Sequence, residues 1–126
     1  MSNSVQLVGR IASAIRLQEI TSSGGPRTKA SFLLAVPGPR KDADADFIRV
    51  ETWGKQAENL VKYNGKGSRV AVTGYIRSRF FNRDGGKTGG ELRSAVVAQR
   101  VEYLQSRRQS PATQAETPEA TKGPRR

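Results

Sequence analysis

Two stretches of the sequence, Asp46–Trp53 and Arg69–Phe81, alternate between two kinds of side chain with a period of two. That period is the side-chain repeat of a β-strand, so each stretch predicts a strand with two distinct faces. One face of each is small or aliphatic and predicts the side that packs on a core. Its members are Ile48, Val50, Thr52, Val70, Val72, Gly74 and Ile76. Any fold for this chain must therefore bury one face of both strands and leave the other face available.

The opposite face of both strands carries aromatic rings interleaved with arginine. Its members are Phe47, Arg49, Glu51, Trp53, Tyr75, Arg77, Arg79 and Phe81. Bases present flat π-faces and phosphates present negative charge, so rings beside guanidinium groups are typical of a surface for an unpaired nucleic acid strand. A single aromatic is more often packed, under a loop or against another subunit. The combined pattern favours binding, whereas Phe80 and Tyr63 are expected to pack.

The charge balance supports an anionic partner. The 126 residues include 22 Lys and Arg against 11 Asp and Glu, a formal net charge of +11. The longest apolar run, residues 32–36, is too short to cross a bilayer, and no membrane partner is expected. Cysteine and histidine are absent, which excludes disulfides and nearly all zinc chemistry, so no metal or other cofactor is expected. The first residues lack a secretory signal, which predicts a cytoplasmic protein.

The order of elements predicts the fold class. A strand near residues 5–12 contains Gly9 as a bend, residues 18–28 form a polar loop, and residues 29–36 form a second strand that Pro37 ends. After the strand ending at Trp53, a short helix reaches the end signal Asn64-Gly65. A glycine-rich hairpin loop at 82–90 leads to a last strand at 91–104. This order is that of the OB-fold, an all-β, five-stranded Greek-key barrel with one short helix between strands 3 and 4.

The composition changes after Leu104. Residues 105–126 contain no aliphatic side chain larger than alanine and no aromatic one, while prolines and polar residues are frequent. Such a segment cannot bury enough apolar surface to offset the entropy of ordering. The sequence therefore predicts an OB-fold domain at 1–104 and a disordered basic tail at 105–126.

Two short motifs suggest other chemistry but lack essential parts. Asp42, Asp44 and Asp46 have the spacing of the first ligands of a calcium-binding EF-hand loop, but Phe47 and Trp53 stand where glycine and glutamate are required. Gly86-Lys87-Thr88 resembles the end of a phosphate-binding loop without its first glycine or a following helix pattern. No arrangement of nucleophile and base is evident, so no enzymatic activity is expected.

These residues together resemble the bacterial single-stranded DNA-binding protein family over residues 3–104. The resemblance is carried by Val8-Gly9-Arg10, by Asp46-Phe47-Ile48-Arg49-Val50, by Trp53-Gly54-Lys55-Gln56, by Lys66-Gly67-Ser68 and by Gly74-Tyr75-Ile76-Arg77-Ser78-Arg79. It implies an OB-fold that binds single-stranded DNA without sequence preference, by stacking of bases on aromatic rings and contacts of phosphates with basic side chains. The DNA-binding candidates are Phe47, Trp53, Phe81, Arg49, Arg77, Arg79, Arg10, Arg83, Lys87 and Tyr75.

This chain departs from the family pattern in two places, and the resemblance also implies a quaternary state. Family members usually have a further stacking aromatic just after the second strand, where this chain has Pro37-Gly38-Pro39-Arg40. The principal replication members end in an acidic tip that recruits partner proteins, whereas this chain ends Lys122-Gly123-Pro124-Arg125-Arg126. We therefore expect either a paralogue without acidic-tip partners or a truncated chain, associated with the nucleoid and acting in replication, recombination, repair or DNA uptake. Family members are typically homotetramers, which is the expected state here.

Alternative functions remain open from the sequence. The aromatic face could be a protein interface, or the module could bind RNA, and both fit an OB-fold. A nuclease is the enzymatic alternative.

Overall fold

The computed structural model describes residues 1–81 and 90–107, although not the side chains of Ser22 and Phe81. The described residues form strands and one helix in the order β1 (Val5–Ile11), β2 (Arg16–Ser22), β3 (Gly25–Val36), β4 (Asp46–Trp53), α1 (Gly54–Tyr63), β5 (Arg69–Phe81) and β6 (Glu91–Gln105). The predicted glycine-rich loop lies almost wholly outside these residues, and so does nearly all of the predicted tail. No described helix has the length and apolar character required to span a membrane.

The strands form one closed sheet. Their order is β1-β5-β6-β4-β3-β2, and β1 also pairs with β3 at Arg10↔Ala35 and Ile11↔Leu34. All pairings are antiparallel except the short one between β4 and β6. When β1 and β2 are counted as two halves of one bent strand, this is the five-stranded OB-fold topology. The OB-fold prediction is therefore confirmed.

Strands β1 and β3 approach each other closely at Gly9. A Cβ atom at Gly9 would lie 2.3 Å from the carbonyl oxygen of Ala35, so only glycine fits where β1 meets β3. The chain leaves the strand at residues 12–15, and β2 then pairs with β3 alone. Strand β1 therefore ends at Ile11, and its pairing with β5 runs through Gly9 without a register shift.

The expectation of a polar loop at residues 18–28 is wrong. These residues form a β-hairpin, in which β2 and β3 pair from Arg16↔Ser31 to Ser22↔Gly25 around the turn at Ser23-Gly24. Gly25 closes the turn with φ +102°, a conformation that glycine adopts readily. The hairpin extends beyond β4, whose last residue Trp53 pairs with Lys29. Side chains on both faces of such a ribbon meet solvent, so the sequence carries no apolar alternation there.

The core lies inside the barrel, as the alternation predicted, and among the described residues its apolar side chains are aliphatic except for Phe32. Val50, Thr52, Val70 and Val72 are buried, and Ile48 packs against the core from its edge. The helix contributes Ala57 and Leu60, which are fully buried, and it covers one end of the barrel.

The helix is also bonded to β6 where that strand changes register. β6 has one extra residue between its pairs with Thr73 and Gly74, which is a β-bulge. Beside the bulge, the side-chain amide of Gln56 donates to the carbonyl of Ala98 at 3.3 Å and accepts from the N–H of Val101 at 3.1 Å. Gln56 therefore bonds backbone groups of β6 on both sides of the bulge, and the Ala98 carbonyl also accepts from the hydroxyl of Thr52 on β4 at 3.4 Å.

Ile76 and Phe80 do not pack, contrary to expectation. They lie on the same side of β5 as the buried Val70 and Val72, but Ile76 is 46% exposed and Phe80 is 69% exposed. The reason is that β5 and β6 continue as a two-stranded ribbon, in which Phe80 pairs with the exposed Leu92. Tyr63, at the end of α1, is also exposed, and its ring contacts that of Tyr103 at a centroid distance of 6.4 Å.

Candidate nucleic-acid interface

The outer face of β3 and β4 brings the predicted aromatic and basic residues together. In an antiparallel pair, residues directly opposite each other point to the same side of the sheet. The outward pairs are Lys29↔Trp53, Ser31↔Glu51, Leu33↔Arg49 and Ala35↔Phe47. We call this surface, with the outward residues of β5 and β6 described below, the outer face.

The aromatic side chains of β4 lie outside the barrel core. Phe47 is 64% exposed and Trp53 is half-buried, and neither belongs to the buried cluster. A fully buried ring could not stack on a base, so this exposure is the geometric requirement for the proposed role. The side chain of Phe81, the third ring of the prediction, lies outside the described residues.

Two cations lie over the ring of Trp53. The guanidinium carbon of Arg27 is 4.4 Å from the ring centroid, and the ammonium of Lys29 is 5.6 Å from it. Both distances are within the range of cation–π attraction. Arg27 reaches the ring because it lies two residues before Lys29 on β3, on the same face of the hairpin.

A carboxylate lies within this basic surface. Oε2 of Glu51 is 3.3 Å from Nζ of Lys29 and 3.3 Å from Nε of Arg49. The Lys29 and Glu51 side chains are mostly buried, whereas Arg49 is about half exposed. Glu51 therefore fixes and partly neutralises two cations, of which Lys29 lies near the Trp53 ring and Arg49 lies further along β4.

The outer face continues from β4 across β6 to β5. Glu51 is paired with Val97 of β6, which in turn is paired with Tyr75 of β5. Beyond Tyr75 on the same side of β5, Arg77 and Arg79 are exposed. Arg93 of β6 lies opposite Arg79, so the far end of this face is strongly basic.

Three predicted residues are not placed with this surface. Arg10 donates to the carbonyl of Gly67 at 2.9 Å and to Oε1 of Gln105 at 3.1 Å, which holds its guanidinium beside the turn that precedes β5. Arg83 and Lys87 lie outside the described residues.

Sequence reasoning missed Arg27, Lys29 and the role of Glu51. Lys29 is the first residue of the predicted second strand and has the same alternation as Leu33 and Ala35, so its outward position could have been found. The position of Arg27 could not be predicted, because residues 18–28 were expected to form a loop, in which side chains do not alternate between two faces. Glu51 was placed on the correct face, but only the coordinates show its ion pairs.

The titrating group with a displaced pKa lies away from the outer face. Burial, and the neighbouring Tyr63, raise the pKa of Tyr103 above its ordinary value. Among residues 1–81 and 90–107, no group of three or more acidic side chains is arranged to hold a metal ion.

The fold and this surface define a class of protein. A closed OB-fold barrel with exposed rings and cations on its outer face is the architecture of oligonucleotide-binding modules. Comparison with known proteins defines the family. Residues 2–104 match the model of the single-strand binding protein family, and the chain belongs to this family.

Individual relatives agree with this assignment. "Single-stranded DNA-binding protein 1" of Streptococcus pyogenes is 34% identical over 113 residues, which cover 86% of this chain and 82% of the relative. The "Single-stranded DNA-binding protein" of Streptococcus pneumoniae is 37% identical over 111 residues, covering 85% and 68%. "Single-stranded DNA-binding protein 1" of Clostridium acetobutylicum is 30% identical over 112 residues, covering 86% and 98%. The family resemblance of the sequence is thus confirmed.

Proposed function

We propose that this protein binds single-stranded DNA without sequence preference and protects it, in the cytoplasm, during replication, recombination, repair or DNA uptake. The observation that carries the proposal is the exposed ring of Phe47, which lies on one sheet face with Trp53 and Arg49. The names of the family and of the relatives above support DNA as the ligand.

In the proposed mechanism, aromatic rings bind the bases and cationic side chains bind the phosphates. Bases stack on Phe47, Trp53 and Phe81, since every base has a π-face and stacking tolerates any sequence. Phosphates are contacted by the basic residues of the outer face, Arg49, Arg77 and Arg79. We assign the same role to Arg83 and Lys87, which lie outside the described residues. No step of this mechanism breaks a covalent bond, so the protein acts without catalysis.

We further propose that the protein acts as a homotetramer. Support comes from residues 5–9 of β1, which pair with β5 along one edge. Within the described part of the chain no strand pairs with their other edge, and open edges are suited to pairing with another chain. Sedimentation equilibrium is expected to give four times the chain mass; the mass of a single chain would contradict this part of the proposal.

The stacking mechanism is tested with two matched substitutions. Phe47→Leu removes an exposed ring from the outer face, and Phe80→Leu removes an equally exposed ring from the other side of β5. One lost base stack corresponds to about 1–3 kcal/mol, or roughly 5- to 150-fold in affinity. We expect that loss for Phe47→Leu and no change for Phe80→Leu, measured by anisotropy of a labelled dT oligonucleotide. Equal affinities of both variants and the parent would reject the role of Phe47.

The same assay separates the alternatives. A protein that prefers single-stranded DNA is displaced from labelled dT by unlabelled dT more readily than by oligo-U or by duplex DNA. Preference for oligo-U would indicate an RNA-binding module, and no binding of either would favour a protein interface. Shortened DNA after incubation with magnesium or calcium would indicate a nuclease.

A further inference from the structure

Within the part of the chain that the structure describes, Arg27 differs from Lys29 and Arg49 in having no carboxylate partner. Lys29 and Arg49 are both within 3.3 Å of Glu51. Among residues 1–81 and 90–107, no carboxylate lies within ion-pair distance of Arg27, although its guanidinium carbon is 4.4 Å from the centre of the Trp53 ring. Its positive charge therefore remains available to an anion.

The position of this guanidinium conflicts with stacking of a base on the same ring face. Stacked rings and guanidinium planes occupy the same layer above an indole, so only one of them can contact that face at a time. An exposed cation–π contact is weaker than the stacking of a base on an aromatic side chain. A base that reaches this face should consequently displace the guanidinium.

We propose that Arg27 covers the Trp53 ring in the free protein and moves to a DNA phosphate when a base replaces it on the ring. This inference rests on the proposed binding of single-stranded DNA. Arg27 is exposed and lies on the β2–β3 hairpin, which extends past the end of β4, so its side chain has room to turn outward. A guanidinium released from the ring can donate two parallel hydrogen bonds to phosphate oxygens.

The two roles of Arg27 have opposite effects on affinity and different salt dependence. Loss of the phosphate contact weakens binding mainly at low salt, because each phosphate neutralised on a single strand contributes about −0.7 to the slope of log K against log salt. Loss of the competing cation favours stacking at every salt concentration. The affinities of the parent and of a variant without the charge should therefore converge, and then cross, as salt rises.

The test compares Arg27→Gln with Arg27→Lys and with the control Lys62→Gln. Lys62 is a matched control because its ammonium lies 5.3 Å from the centre of the Tyr63 ring, on α1 and away from the outer face. Affinity for a dT oligonucleotide is measured across a tenfold range of salt, with circular dichroism as the check on folding. We expect the slope for Arg27→Gln to be shallower by about 0.7, roughly a fivefold change in relative affinity across that range. Arg27→Lys and Lys62→Gln should keep the parental slope.

Emission from Trp53 gives an independent readout, since the chain has one tryptophan. Arg27→Gln should change the emission of the free protein, while dT should quench both parent and variant to a common level. Parallel salt plots for the parent and Arg27→Gln would overturn the inference, whether or not the variant binds more weakly. If the parent itself does not bind dT, it is the proposed function that fails.

Discussion

Glu51 is the residue whose presence on the outer face most needs a physical reason. A carboxylate repels phosphates, yet it lies between Lys29 and Arg49 in the middle of the proposed binding surface. Its effect in the free protein is to hold both cations in place around its own carboxylate. We infer that Glu51 lowers the affinity of the protein for DNA and fixes the positions of the Lys29 and Arg49 cations.

Glu51→Gln should therefore tighten binding. Removing the carboxylate frees Lys29 and Arg49 for phosphates, so the slope of log K against log salt should steepen by up to about 1.4, which corresponds to two phosphates. Glu102→Gln is the control, because Glu102 is paired with Arg100 at 2.8 Å on another part of the barrel. Weaker binding of Glu51→Gln, in a variant that melts like the parent, would mean that the carboxylate positions the cations in a way that DNA requires.

Parity predicted the positions of individual residues wherever a strand had a buried face. The exposure of Phe47 and Arg49 follows from the alternation alone, whereas Arg77 and Arg79 lie on the ribbon of β5 and β6, where both faces are exposed. Parity failed for Ile76 and Phe80, because the rule assumes a core beneath the strand. The sequence does not show where the ribbon of β5 and β6 extends past that core.

At the scale of elements, the close pairing of β5 and β6 at their register shift depends on a glycine. A Cβ atom at Gly74 would lie 1.9 Å from the carbonyl oxygen of Val97, at the point where the register of the two strands shifts. No side chain can avoid a backbone atom at that distance without moving the strand.

Gly74→Ala should thus reduce the free energy of unfolding by about 3 kcal/mol, the upper part of the range for overpacked sites. Gly24→Ala is the control, because a Cβ atom there would have no heavy atom within 4 Å. Its effect should stay within about 0.5 kcal/mol. Urea denaturation of the two variants and the parent measures both values. Equal midpoints for the two variants would contradict the requirement for glycine at the register shift of β5 and β6.

The contact between α1 and β6 should make stability depend on pH in the alkaline range. The pKa of Tyr103 is raised in the folded protein, by burial and by Tyr63, so the fold favours the neutral phenol. This contribution to stability is complete below the ordinary tyrosine pKa of 10.0 and is lost as pH rises through the higher folded value. The denaturation midpoint of the parent should fall relative to that of Tyr103→Phe above pH 10. A constant difference between the two proteins up to pH 11.5 would be inconsistent with the raised pKa.

Element boundaries were predictable where turn residues or buried faces marked them. The bounds of β4 and β5 agree with the alternation, the end of β3 with Pro37, and the end of α1 with Asn64. The β2–β3 hairpin was not predictable, since a ribbon with solvent on both sides needs no apolar pattern. Its glycines indicated a turn, but the strands beside the turn carried no comparable signal.

At the scale of the whole molecule, the order of elements was enough to predict a closed barrel, because the OB-fold is the arrangement that the strands and single helix allow. The sequence could not show which cations face one another across strands. Those juxtapositions, such as Arg27 over Trp53, depend on register and on the path of the hairpin, which are set by the closed sheet as a whole.

The central claim is that DNA bases lie against the rings of β4 on the outer face. Photo-cross-linking of a dT oligonucleotide that contains 5-iodouracil, followed by mapping of the modified residues by mass spectrometry, tests it most directly. The account predicts cross-links at Phe47 and Trp53. Cross-links confined to α1 or to the side of β5 that bears Phe80, with none on β4, would contradict it.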